Sequence, residues 1–338
     1  MHRRLVTNLL AAASVAIVLG TAACGGSTAS SGGGGKSGGK VTIGFSAWPG
    51  WFPWQVAQEK GLFTKNGVDV ELKYFDSYTD SLTALATGNI NANSQTLNDT
   101  ISSVSGGPKQ TIVLVNDNST GNDQIIAREG INSVADLKGK RVAAEQGTVD
   151  HYLLLLALKK VGLTEQDVQF TPLLTDAAAA AFAAGKVDAV GVFAPFTTTA
   201  LGRKGSKAIA TSKDFPGAIP DHLVFGTDFV KAHGDQVQAI VKTWFDTLAW
   251  IKANKDEAIG IMAKRAGVSV KDYKTYDAGT TIFTREQNLS AFASGSTPAN
   301  LDFQANLITE FLVSTKLVAK KPALDGLFEP KFVQAVTG

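Results

Sequence analysis

The sequence predicts an α/β fold built on largely parallel sheet, and three observations carry that reading. From Val41 onward, short apolar runs alternate with longer stretches of helical periodicity, the signature of βαβ units. The chain has 338 residues, 44% apolar and 18% charged, enough to bury a large core and incompatible with disorder throughout. No self-similarity at a solenoid period and no long run of like charge interrupts the pattern. The length favours two domains.

Each element has its own signal. VTIGF, Val41–Phe45, reads as the first strand. Residues 53–61 read as a helix with Pro in its first turn and Gly at its end. Residues 68–75 alternate as a strand, 78–87 are helical and stop at Gly88, 90–94 form a brief strand, and 111–115 form a β-branched, buried one. A second set begins near Gln124, with a strand over 125–127, a turn over 133–137, a strand over 141–144, and a helix over 149–161 capped by Thr148. Residues 176–184 form an alanine-rich helix ended by Gly185, followed by a strand over 187–193 and a break at Pro195. Residues 224–227 read as a returning strand. Residues 236–253 and 256–266 read as amphipathic helices, the first with Trp244, Phe245, Leu248 and Ile251 on one face.

The N-terminus has the form of an export signal. Arg3 and Arg4 are basic, residues 9–19 are apolar, and Ala22 and Ala23 place small side chains before Cys24. A membrane-spanning helix needs about 20 apolar residues, so this stretch has the length of a removed leader. The segment resembles a bacterial lipobox, with Thr21 where an aliphatic residue is usual. The resemblance implies a signal peptide over 1–23, lipid on Cys24, and anchoring to the outer face of the cell membrane; the alternative is an ordinary leader cut nearby. Cys24 is the only cysteine, which excludes an intramolecular disulfide and any cysteine-rich metal site. Residues 24–40 are nearly all Gly, Ser, Thr and Ala, a flexible tether with a reach of roughly 20 to 25 Å. The chain carries 32 Lys and Arg against 30 Asp and Glu, and loss of Arg3 and Arg4 makes the two equal. Nucleic acid is therefore not an expected partner.

Several phrases then carry a family resemblance: AQEKGLF from Ala57, GVDVEL from Gly67, LTALATGNINA from Leu82, LKGKRVA from Leu137, LLLLALKKVGLTEQDV from Leu153, and GKVDAVGVFAPF from Gly185. In this order the body resembles the substrate-binding proteins of ABC importers, in the nitrate, sulfonate, taurine, bicarbonate and thiamine-pyrimidine-precursor group. The resemblance implies a type II periplasmic-binding fold in which two α/β lobes trap a small solute in the cleft between them. Lobe 1 would be 41–123 with 223–338, lobe 2 would be 124–222, and the chain would cross near 121–124 and 223. It also implies an ABC permease with its ATPase subunits as partners, and a tethered capture protein has no need to be other than monomeric. AWPGWFPW over 47–54, the aspartate of YFDSY, and NDNSTGND over 116–123 further resemble a subgroup associated with guanidine- or urea-derived nitrogen compounds.

Ligands of open α/β sheets sit beyond the carboxyl ends of strands, so the strand-end loops are where the solute is expected. The first loop offers Ser46, Trp48, Trp51 and Trp54 from a chain with five tryptophans. Trp54, at helical spacing from Trp51, reads as core. Trp48 and Trp51 flank Pro49 and Gly50 in a turn and read as pocket walls, since indole faces attract organic cations by roughly 0.5 to 2 kcal/mol. Later loops supply Asp76, Gln95, Thr96, Asp117, Glu145 and Thr148, and Phe196 beyond Pro195 would close the cleft. Asp99 and Asp123 also suit turn or cap positions, and Asp150 suits a helix first turn. None of these loops carries Lys or Arg, which a buried sulfonate or nitrate would want. The expected solute is a small cationic or neutral nitrogen compound. The alternatives are an aliphatic sulfonate, taurine or nitrate, and then a thiamine-pyrimidine precursor or an enzyme on this fold.

Enzyme chemistry has little to stand on in the sequence. His151, His222 and His233 show no metal-ligand spacing, and neither a G-x-S-x-G elbow nor a P-loop occurs. Neither a cofactor nor a metal is expected.

Overall fold

The computed structural model describes residues 38–337. The expected leader, the Cys24 lipidation site and the tether up to residue 37 lie outside the described residues. The body contains two mixed sheets. The first joins β1 (Val41–Phe45), β2 (Val70–Tyr74), β3 (Ala92–Thr96) and β4 (Gln110–Ser119). The chain then leaves for the second sheet, made of β5 (Asp123–Ala127), β6 (Arg141–Ala144), β7 (Gln169–Pro172), β8 (Ala189–Phe193) and β9 (Lys207–Thr211). It returns to the first with β10 (Pro220–Gly226) and β11 (Thr280–Ile282).

The strand orders are β11-β4-β10-β3-β1-β2 and β7-β6-β8-β5-β9. Within each, the strands that belong to βαβ units pair in parallel, β1 with β2 and β3, and β6 with β7 and β8. The strands adjoining the crossings run antiparallel, β10 against β3 and β4, and β5 against β8 and β9. The sheet is therefore less uniformly parallel than the alternation of elements suggests.

The helices bury the faces their periodicity marks. Trp54 is fully buried, its Nε1 donates to Ser94 Oγ at 2.9 Å, and its ring packs on Phe63 and Trp244. Trp244 thus ties the long helix Gly234–Ala253 to the helix Pro53–Glu59 under the first sheet.

Two departures from the sequence reading matter for the site. β4 runs four residues past Val115, through Asn116, Asp117, Asn118 and Ser119, all buried. Such polar residues read as loop, but as strand residues their main-chain groups are satisfied by the ladder to β10 and β11. Residues 97–105, to which the sequence reading assigns no element although Leu97, Ile101 and Val104 fall at helical spacing, form a helix. Thr96 caps it by accepting the Asp99 N–H at 3.3 Å. Gln95 and Thr96 accordingly belong to β3 rather than to a loop.

Candidate functional site

Register places the polar residues in rows. Asp221 on β10 stands opposite Thr96 on β3 and opposite Asp117 on β4, so the three share one face of the first sheet. On the second sheet Asp123 of β5 stands opposite Phe193 of β8. The loop after β1 turns tightly, with the Trp51 N–H donating to the Trp48 carbonyl at 3.0 Å, and Tyr273 Oη donates to the Pro49 carbonyl at 3.2 Å. Gly50 lets this loop reach the sheet: a Cβ there would lie 1.9 Å from Asp117 Oδ2. The approach brings Trp48 Nε1 to 2.9 Å from Asp117 Oδ1.

Four aromatic rings close on one another. Trp48 lies 6.4 Å from Trp51, Trp51 5.5 Å from Tyr78, Tyr78 6.2 Å from Phe193, and Phe193 6.2 Å from Trp48. The two contacts of Phe193 are edge-on. The ring thus combines side chains positioned by both sheets. It borders a cavity of about 220 Å³ whose freely occupiable part, about 10 Å³, is water-sized. Thr96, Asp123, Val149, Ile219 and Asp221 complete the lining.

Carboxylates dominate the electrostatics. Asp99, Asp117, Asp123, Asp150 and Asp221 are all essentially buried. Among the described residues, none of them forms an ion pair with a lysine or arginine. Desolvation pushes Asp99, Asp117 and Asp123 each up to about 7. Asp150 and Asp221 go well above the usual carboxylate range, raised by burial and then by neighbouring carboxylates. Among the described residues, no donor outside the carboxyls themselves reaches either oxygen of Asp221 or one oxygen each of Asp117, Asp123 and Asp150, and Trp51 Nε1 has no acceptor. Such groups are costly to bury unless something accepts or supplies their hydrogen bonds. Among the described residues no group of three or more His, Cys, Asp or Glu is arranged to hold a metal ion.

A neighbouring chamber of about 120 Å³ shares Tyr78 and Phe193 with the cavity and adds Ser46, Asp76, Glu145 and Phe196. Glu145 Oε1 accepts from Thr79 Oγ1, and its Oε2 accepts from Thr175 Oγ1 at 2.6 Å. Thr79 belongs to the helix that follows β2, and Glu145 to the end of β6, so this bond joins the two sheets' halves. Asp76 is exposed at the chamber rim, and Phe196 packs edge-on against Phe193 at 5.5 Å.

The expected ligand residues therefore divide. Trp48, Trp51 and Thr96 line the aromatic cavity, and Asp117 backs it through Trp48. Ser46, Asp76, Glu145 and Phe196 line the neighbouring chamber, where Glu145 is engaged by two threonines. Gln95 and Thr148 line neither. Gln95 points into a buried network with Asn93, Thr100 and Gln110 on the other side of β3 from Thr96. The Thr148 hydroxyl donates to the Glu145 carbonyl at 2.9 Å instead of capping its helix. Sequence reasoning misses Tyr78, Asp221 and Ile219. Asp221 falls before the apolar run that marks its strand, and only its place between Pro220 and His222 in a buried β10 reveals it.

Comparison with known proteins bears on this geometry. A sequence model of the NMT1-like family matches residues 35–267. A putative binding protein of Brucella abortus is 28% identical over 260 residues, covering 76% of this chain and 80% of the relative. The taurine-binding periplasmic protein of Escherichia coli is 27% identical over 259 residues, covering 74% and 81%. The alkanesulfonate-binding protein SsuA from Xanthomonas axonopodis pv. citri, bound to MOPS, has the same fold, with a TM-score of 0.74 at 19% identity over 86% of this chain and 98% of that one.

Proposed function

Because this chain belongs to the NMT1-like family, we propose that it is the solute-binding component of an ABC importer, and that its solute is a small organic cation or neutral nitrogen compound. The observation that carries the solute class is the ring of Trp48, Trp51, Tyr78 and Phe193 set against buried carboxylates that no lysine or arginine among the described residues neutralises. Aromatic faces attract cations through their quadrupoles, more strongly where water is excluded. Unpartnered oxygens on Asp221, Asp123 and Asp117 accept N–H bonds, and a flat amidinium offers several at once. The closed cavity holds about one water, so a guanidine- or urea-sized head enters only with the ring parted.

The mechanism follows from where the rings originate. Trp48, Trp51 and Tyr78 belong to segments leading from β1 and β2, and Phe193 ends β8. Separation of the two sheets' halves opens the ring, and solute binding pulls it shut, with the Thr79–Glu145 bond as a latch. The closed body would then present both halves to a permease. A lipid on Cys24 and the following tether would hold it outside the membrane, as a monomer.

A second reading, a taurine or sulfonate solute, draws support from the taurine-binding relative. One experiment separates them: thermal unfolding of the purified chain with guanidinium, urea compounds, amines, taurine, alkanesulfonates and nitrate. A solute at a hundredfold excess over its dissociation constant adds about 2.7 kcal/mol, which moves the midpoint by degrees. Stabilisation by guanidinium or amines and not by sulfonates supports the cation reading. Stabilisation by sulfonates alone overturns it, and consumption of a stabilising compound would identify an enzyme.

A further inference from the structure

We propose that a groove lined by Lys109, Lys231, Lys320, Lys321 and Lys331 docks the body onto an anionic phospholipid surface, with the solute cavity turned away from it. The proposal rests on the membrane anchoring proposed above and not on the solute class. The chain's charges nearly balance, 32 Lys and Arg against 30 Asp and Glu. The groove departs from that balance, because its lining sets five lysines against the two carboxylates of Asp325 and Glu329. All five lysines are exposed. Lys331 pairs with Glu329 at 3.1 Å, whereas Lys109, Lys231, Lys320 and Lys321 form no ion pair among the described residues. The groove has a volume of about 780 Å³, and the buried side chains of Val230 and Leu327 add apolar surface to its lining. Ammonium groups beside apolar surface suit a phosphodiester joined to a glycerol backbone, which lysine meets as a point charge.

Register fixes where the groove lies. Ile43 on β1 stands beside Ala92 on β3, Ala92 opposite Phe225 on β10, and Phe225 opposite Thr111 on β4, so the four form one row across the first sheet. β1, β3 and β4 run in one direction, as the two antiparallel steps through β10 require. Lys109, just before β4, therefore lies at the end of the sheet where β1 begins. Gly38, Gly39 and Lys40 lead into β1 at that end and are exposed. An anchor on Cys24 joins the body at its lysine-bearing end. Along β4, Asp117 lies seven residues beyond Gln110, roughly 23 Å of extended chain, which puts the aromatic ring and its carboxylates at the other end. A body resting on its lysines holds the cavity toward the medium, ready for capture. The attraction acts within about 8 Å of the surface at physiological salt, so an anchor that keeps the body near the surface is what makes the groove effective.

The test is sedimentation of the full purified chain with vesicles of phosphatidylcholine alone and of phosphatidylcholine with a quarter phosphatidylglycerol, at about 0.15 M salt. Binding to the neutral vesicles reads the N-terminal attachment, and the increment from phosphatidylglycerol reads the groove. The groove variant combines Lys109→Gln, Lys320→Gln and Lys321→Gln. Its comparison combines Lys186→Gln, Lys204→Gln and Lys213→Gln, which removes equal charge from exposed positions in the other sheet's half. Each lysine near an anionic surface strengthens binding about fivefold. We expect the groove variant to lose the increment by about tenfold or more and the comparison to change by less than about threefold. Arginine at the same three groove positions should preserve it. Equal losses in the two variants, or no increment in wild type, overturn the docking face. An increment lost only in the groove variant, with no binding to neutral vesicles, removes the N-terminal anchor and leaves the docking face standing. If inorganic phosphate displaces wild type from the vesicles and raises its melting temperature but not that of the groove variant, the groove takes free phosphate and membrane docking is overturned.

Discussion

Asp221 on β10 and Asp117 on β4 face each other across an antiparallel ladder, and the indole of Trp48 is the N–H donor the described residues give that pair. Two adjacent carboxyls stripped of water cannot both ionise cheaply, so the pair retains a proton between them. A cation arriving between the rings supplies the missing positive charge and frees that proton. Solute capture is therefore expected to release protons near neutral pH and to strengthen as pH rises toward about 8. Titration calorimetry of guanidinium in two buffers of different ionisation enthalpy reads the proton count directly, and identical heats in both would contradict it.

Without solute, stability should run the other way. Asp99, Asp117 and Asp123 sit at about 7 when folded, against about 3.9 in an unfolded chain. The folded state binds more protons across that interval, so their contribution is fully present below about pH 4 and is lost as pH rises through about 7. Each tenfold gain in proton affinity on folding is worth about 1.4 kcal/mol, so several kcal/mol are at stake. Asp188, held below the ordinary range by hydrogen bonds from Arg141 and Arg128, loses its own contribution only below about pH 4. Melting curves between about pH 4.5 and 7.5 should show the midpoint falling with pH, and a flat or rising profile would count against the buried-acid description.

Asp221→Asn should separate binding from stability. It removes one unpartnered buried acid, so at about pH 7.5 the solute-free protein is expected to gain about 1 to 3 kcal/mol. Guanidinium affinity should fall about tenfold in the same variant. A variant that loses both stability and binding would place Asp221 in the scaffold alone.

Gly50→Ala tests the loop that carries the tryptophans. The added carbon would overlap Asp117 Oδ2, so either the loop or the aspartate must move, and the Trp48–Asp117 bond with it. We expect a cost of about 1 to 3 kcal/mol and loss of solute-induced stabilisation. Retention of full binding would show that the loop's closeness to the sheet is incidental.

Thr79→Val removes the donor that bridges to Glu145. Thr79 is exposed and its partner also keeps Thr175, so the fold should lose about 1 kcal/mol or less. Solute dissociation should accelerate, because the bond exists only with the two halves together. Stopped-flow release of bound guanidinium measures it, and an unchanged rate would remove the latch from the mechanism.

Much of this architecture is legible in the chain because apolar periodicity survives wherever a strand or helix faces a core. The strand Val41–Phe45 and the tryptophan-rich loop after it are visible for that reason. The rest is hidden where strands carry polar residues inward. Asn116 to Ser119 look like a loop and are strand, and Asp221 precedes the apolar signal of its own strand. Asp99, Asp123 and Asp150 sit at positions where carboxylates are ordinary caps or turn formers, and nothing local separates that role from burial beside a cavity. The proximity of Thr96, Asp117 and Asp221 arises from register across β3, β10 and β4, and Asp123 arrives with the crossing into β5, neither of which any linear spacing encodes.

The aromatic ring also makes the protein its own optical instrument. Two of its four members are indoles whose surroundings change when Phe193, carried by the opposite sheet, draws near or withdraws. Trp54 and Trp244, locked against each other at 4.6 Å inside the core, and Trp250 under Lys60 provide the emission background of the other three tryptophans. The proposed opening and closing is therefore testable by intrinsic fluorescence in unlabelled protein, with any spectral change assigned to Trp48 and Trp51 by single Phe replacements.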